Sequence, residues 1–253
     1  MRKPSVAWMF YPDDSQELGK MVDSLLQNAP DYDIKWTLKW LILPHAGYPF
    51  SWLTAAAGYK ILQKFNYKKI LLVGPSHHFY FNHAAYTDED FETPLGIVKT
   101  WKNPDFLDNH FVSNIPKAHE KEHSLEVQLP FLQKIYKDFE IFPLALSDVD
   151  YEKLADIIFD WMDKDTFVLV SSDLSHFYSY DKAFELDKKS IKRILNLEES
   201  EEINACGREW IFVMVNLAKK LGWSPFFIDY KNSWDIIQDR SSVVGYTSIW
   251  FEQ

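Results

Sequence analysis

The chain has 253 residues, 47% of them hydrophobic and 25% charged, and a net charge of −10. That length supports one large domain or two small ones, and the balance is that of an ordinary soluble globular protein, while the net acidity and the absence of a clustered Lys/Arg face argue against a nucleic-acid groove. A single cysteine, Cys206, rules out an internal disulfide and fits a reducing cytoplasm.

In chain order, the short apolar stretch after Met1 is interrupted by Pro12, Asp13 and Asp14 before a signal-peptide core can form. No run approaches the roughly 18 apolar residues of a membrane span, so no membrane partner is expected. Residues 15–28 read as an amphipathic helix, with Ser15 and Glu17 near its start. Residues 39–43 form an apolar strand that runs into Pro44-His45-Ala46-Gly47, and residues 50–65 form a helix rich in Ala and Leu. The next strand, 69–73, delivers Gly74-Pro75-Ser76-His77-His78. A short strand is expected at 96–99, then a helix over 124–136 with Pro130 as an interior irregularity. Strand 139–146, helix 151–162 and strand 166–170 follow, the last running into Ser171-Ser172-Asp173. Helices at 180–195 and 208–221 precede closing strands at 226–230 and 243–251. Strands alternating with helices predict a single α/β domain over residues 1–253, with helices on both faces of a mostly parallel or mixed sheet.

In open α/β sheets, ligands and metals bind at the carboxyl ends of the strands. Two strands here end in histidines, His45 and the His77-His78 pair, and imidazoles from separate strands suit a metal site. Adjacent residues of an extended turn point to opposite sides, so only one of the pair can face inward. Asp173 and His176, three residues apart, follow a third strand: the aspartate can orient a histidine, act as a base, or simply cap a helix. His123 and Glu126 open a helix, where the histidine can move protons and the glutamate favours the helix dipole. Asp235, an acid in a loop before the last strand, competes with Asp173 and Glu126 as an anionic third metal ligand. Cys206 lies just ahead of a helix, whose N-terminus can lower a thiol's pKa, but a single buried cysteine reads first as a small core residue. No Walker loop, G-x-G-x-x-G or G-x-S-x-G motif is present.

Six motifs stand in order: Pro44-His45-Ala46-Gly47-Tyr48, Gly74-Pro75-Ser76-His77-His78, Thr93-Pro94-Leu95-Gly96, Glu122-His123-Ser124-Leu125-Glu126, Ser171-Ser172-Asp173-Leu174-Ser175-His176 and Asp239-Arg240-Ser241-Ser242-Val243-Val244-Gly245-Tyr246. Tyr11-Pro12 and Cys206-Gly207 also fit. In these motifs, and over nearly its whole length, the chain resembles the Memo family (the AmmeMemoRadiSam system protein B family). The resemblance implies a fold similar to the class III extradiol, LigB-type, non-haem iron dioxygenases. It implies that His45 and His77 are metal ligands. It puts the third family ligand just before the final strand, at Asp235, where some relatives carry cysteine. Two histidines and one carboxylate favour Fe(II), with zinc or copper as the other candidates. His123, Asp173 and His176 match pocket-lining positions: His123 or His176 would move protons, and Asp173 would orient a histidine or serve as a base. The implied activity is O₂-dependent redox chemistry on an unknown substrate. The alternatives are a non-catalytic module holding a small ligand or phosphopeptide in the same pocket, and a zinc hydrolase. Family context implies a functional link to AMMECR1-type and radical-SAM proteins, and a cytoplasmic location.

Overall fold

The computed structural model describes residues 1–34, 37–102, 111–163 and 165–253. Its first elements are α1 (Ser15–Asn28), β1 (Leu38–Leu43), α2 (Tyr48–Leu62), β2 (Lys69–Pro75), β3 (Ala84–Tyr86), β4 (Phe91–Thr93), β5 (Gly96–Thr100) and β6 (Val112–Asn114). Three short helices follow, α3 (Pro116–His119), α4 (His123–Glu126) and α5 (Leu129–Ile135). Then come β7 (Glu140–Leu146), α6 (Tyr151–Trp161), β8 (Thr166–Ser171), β9 (His176–Tyr178), α7 (Tyr180–Leu195), α8 (Arg208–Leu221), β10 (Ser224–Asn232), α9 (Trp234–Ile237) and β11 (Val243–Glu252).

The strands β1, β2, β7 and β8 are near-continuous apolar runs because both of their faces are covered. Leu41, Leu43, Ile70, Leu72, Phe167 and Leu169 pack into one core, against α1, α2 and α5. Their sequence neighbours Trp40, Ile42, Leu71, Val73, Val168 and Val170 point the other way, into a second core with α6 and α8. The eleven strands form one mixed sheet, in which the path β10-β11-β1-β8-β2-β7-β3-β6 carries the central order. The four strands β1, β8, β2 and β7 are mutually parallel, whereas β11 runs antiparallel to β1 and β10 antiparallel to β11. This is the expected α/β architecture.

Sequence order hides one feature of the sheet. The late strand β8 inserts between β1 and β2, so the three ends that carry Pro44-His45, Ser172-Asp173 and Ser76-His77 lie side by side. The helix expected over 124–136 is instead broken into α4 and α5. Pro130 lies in the first turn of α5, where its missing N–H costs nothing. Asp235 lies on the single turn α9 rather than in an irregular loop.

Strand β11 must pass close to α7, and Gly245 allows it. A Cβ at Gly245 would overlap the Asp187 carboxyl, which accepts hydrogen bonds from Ser175 N (2.9 Å) and Tyr230 OH (2.8 Å). Gly245→Ala is therefore expected to destabilise the protein by about 3 kcal/mol in urea unfolding. Placing Asp187→Ala beside it should recover at least about 1 kcal/mol relative to the sum of the two single changes. Strict additivity would show that the two residues do not press on one another.

Candidate metal centre

Strand β1 hands over to His45, which is 2% exposed. Its backbone N–H donates to Asp173 Oδ1 (2.7 Å), its Nδ1 lies 3.0 Å from Ser171 Oγ, and its Nε2 lies 3.3 Å from Cys206 Sγ. Strand β2 hands over to His77, whose backbone N–H donates to Glu122 Oε2 (2.5 Å) and whose Nδ1 donates to Glu122 Oε1 (2.9 Å). That leaves Nε2 as the His77 nitrogen free to bind a ligand. Glu122 also accepts from Ser124 N (2.8 Å). Burial pushes the Glu122 pKa up, but the hydrogen bonds and charges of His77 and His123 outweigh it and hold the carboxylate below its usual range.

Cys206 reaches the site from the N-terminal end of α8. Its backbone N–H donates to the Asp173 carbonyl (3.2 Å) and its Sγ accepts from Asp173 N (3.2 Å). The approach needs the next residue to be glycine: a Cβ on Gly207 would come within 2.9 Å of Ser172 Oγ, the atom to which Gly207 N donates at 3.0 Å. Potential ligand atoms of His45, His77 and Cys206 lie within 4.8 Å of one another. A second such group, His77, Glu122 and His123, adjoins the first. The rings of His77 and His123 stack at 4.5 Å, and that of His45 stands nearly perpendicular to both, at 5.3 and 5.5 Å.

The candidate proton carriers border this cluster. Burial lifts the Asp173 pKa to about 6, against the His45 N–H bond and the charges of His176 and His77. His176 opens β9, half-buried, and is close enough for its charge to act on both His45 and Asp173. Burial, and next the charge of His77, takes His45 down to about 3; burial and the charge of His45 do the same for His123. Burial, followed by the Asp173 charge, pushes the Cys206 thiol up. His78 is exposed and lies outside the cluster, its ring 6.2 Å from that of His123.

Two expectations need correction. Asp235 is exposed on α9, its Oδ2 accepting Asn232 N–H at 2.9 Å, and it is not in either group of converging ligand atoms among the described residues. Cys206 stands beside the two histidines instead. Glu126, the other rival for an anionic ligand, is buried but turned away. It accepts from the Arg2 guanidinium, Tyr11 OH (2.5 Å), Ser5 N (2.9 Å) and Val6 N (3.1 Å) and so clamps the N-terminal segment onto α4. The sequence signal for Cys206 was the Cys-Gly pair at a helix start, among residues that otherwise look like core. Glu122, one residue before the singled-out His123, had no distinguishing signal beyond its motif.

The family model described as Memo-like protein matches residues 2–250. A MEMO1 family protein of Thermoplasma acidophilum is 32% identical over 98% of this chain and 97% of its own. One from Aquifex aeolicus is 34% identical over 99% of both chains. Among solved structures, an uncharacterized protein of Escherichia coli K12 superposes with a TM-score of 0.47 at 11% identity, over 85% of this chain and 99% of that one.

Beside the cluster, His119 is 1% exposed, with Nε2 3.0 Å from the Ala85 carbonyl oxygen. Burial holds its pKa down to about 4. A histidine depressed in the folded state is protonated first in the unfolded chain, so its contribution is intact above the ordinary value of about 6.5 and is lost as pH falls towards 4. At pH 5 the loss from His119 is about 2 kcal/mol, and His45 and His123 act with the same sign. Urea unfolding of metal-free protein should show lower stability at pH 5 than at pH 7.5. In His119→Gln that drop should shrink by about 2 kcal/mol. An unchanged drop would mean that His119 is not buried neutral.

Proposed function

The chain belongs to the Memo-like family, and we propose that it holds one Fe(II) ion between His45, His77 and Cys206 and uses it for O₂-dependent oxidation of a small substrate. The observation that carries this reading is the convergence of the three donor sets within 4.8 Å, with each histidine already tied through Nδ1 to a partner behind it, Ser171 or Glu122. Such partners orient the ring and leave the other nitrogen for the metal. The residues fit the ion: two imidazoles and one thiol that binds as thiolate make a three-ligand set. A sulfur ligand in place of a carboxylate makes zinc and copper stronger competitors for the position.

When bound, an iron ion with three protein ligands supplies redox and Lewis-acid chemistry at its remaining positions. The chain's own groups would handle the protons. Asp173, lifted towards neutrality in its buried position and facing the His45 backbone, is suited to take and return a proton. His176 is the solvent-reaching partner for that exchange, being half-buried and electrostatically coupled to Asp173. His123, packed against Phe10 with ring centres 5.0 Å apart, forms a wall that restricts water beside the two ligand histidines.

Protein purified without oxygen and loaded separately with Fe(II), Zn(II) or Cu(I) should bind one metal per chain, and the iron form should react with O₂ where the zinc form does not. His45→Ala, His77→Ala and Cys206→Ser should each lower metal content at least about tenfold, whereas Asp235→Ala should leave it unchanged. Stoichiometric zinc with no iron bound when iron is offered alone would replace the redox reading with a hydrolytic one. No metal under any condition would turn the pocket into a ligand-binding module.

A further inference from the structure

The hydrogen bonds behind His45 run in one direction only. A backbone carbonyl oxygen accepts and never donates, and two carbonyls close this network at its ends. Ser171 Oγ lies 2.6 Å from the Ser124 carbonyl oxygen, so the one Ser171 hydroxyl proton is committed there. Gln128 Nε2 lies 2.9 Å from the Pro44 carbonyl oxygen and 2.8 Å from Ser171 Oγ. The Pro44 carbonyl identifies which end of the amide is nitrogen, and Tyr59 OH donates to the other end, Oε1, at 2.7 Å. Ser171 Oγ thus gives its proton to Ser124, receives one from Gln128, and has one lone pair left. His45 Nδ1 lies 3.0 Å from that oxygen and can only be the donor.

We propose that Ser171, backed by Gln128 and Tyr59, is a positioning residue that holds His45 as its Nδ1–H tautomer before any metal arrives. The bare Nε2 then faces the centre, 3.3 Å from Cys206 Sγ, where the thiol donates to it until a metal displaces the proton. The purpose of this lock rests on the metal reading above; its geometry does not.

The two ligand histidines are locked by different chemistry, and their burial explains why. The His77 side chain is 29% exposed and is backed by the ionised Glu122. His45 is 2% exposed, and a second buried carboxylate behind it would carry a large desolvation cost. A hydroxyl whose direction is dictated by two carbonyls orients the ring without adding a charge. Every atom of the lock is satisfied: no atom of Ser171, Gln128, Tyr59 or His45 is among the buried polar atoms lacking a partner.

The test is nitrogen-15 NMR of the metal-free, imidazole-labelled protein at pH 8, where two-bond proton–nitrogen correlations identify the protonated ring nitrogen. The expected result for His45 is a protonated Nδ1 and a bare Nε2; a protonated Nε2 overturns the proposal and needs no variant to be seen. Ser171→Ala should release the ring, populate the Nε2–H form and weaken Zn(II) and Fe(II) binding about 10- to 100-fold, with Ser171→Thr restoring most of the loss. Unchanged tautomer and affinity in Ser171→Ala would also overturn it. Wild-type protein that shows the Nδ1–H form but binds neither metal would uphold the lock and refute the metal reading instead.

Discussion

Three parallel strands that end at one buried edge must find partners for the backbone groups they leave unpaired, and the site is built from those partners. The His45 N–H, just beyond β1, is taken by Asp173, from the end of β8. The His77 N–H, just beyond β2, is taken by Glu122. The carbonyls of Pro44, Pro75 and Ser124 are taken by Gln128, Ser124 Oγ and Ser171 Oγ. Each side chain that satisfies a strand end therefore also holds a histidine or the element that carries one. Removing any of them leaves both an orphaned backbone group and a misplaced ring, which ties the order of the site to the stability of the sheet.

The one-turn helix α4 divides two buried carboxylates between two tasks. Glu122, just before it, faces the histidines, whereas Glu126, at its end, faces the N-terminal segment. Burying both would be untenable without compensation. Glu126 has the Arg2 guanidinium and donors from Ser5, Val6 and Tyr11, and Arg2 also donates to the carbonyls of His119 and Glu122. Residues far from the sheet edge in sequence thus brace the turn that orients His77. The same segment delivers Phe10 to the face of His123.

The sheet and its two histidine-bearing ends were legible because apolar runs bounded by Pro and Gly are local signals. His45 and His77 could be picked out for the same reason. The third member of the cluster was not, because a position just before the last strand is a place along the chain, and the cluster is closed in space. Cys206 comes from a different connection, brought in by the close contact of Gly207 with Ser172 at the end of β8. That β8 lies between β1 and β2, which brings this contact beside both His45 and His77, is a sheet order no local pattern encodes. The helix expected over 124–136 is interrupted at Val127-Gln128, ahead of Pro130, and from there Gln128 donates to the Pro44 carbonyl and Ser171, contacts that no local pattern predicts.

Charge explains why a thiol can stand where a carboxylate was expected. Without a cation, burial keeps His45 and His123 neutral and the nearby Asp173 helps keep Cys206 protonated, while Glu122 is held as a carboxylate beside the rings. A divalent cation bound as proposed would reverse the balance for the thiol: its field would favour the thiolate, whose sulfur already accepts the Asp173 N–H, and the thiol would give up its proton. The thiolate and Glu122 would then offset the two positive charges of such an ion. A carboxylate in place of Cys206 would already be ionised and beside Asp173 before the cation arrived, setting two buried anions against one another. A thiol avoids that repulsion in the metal-free site, because burial and the Asp173 charge keep its proton on.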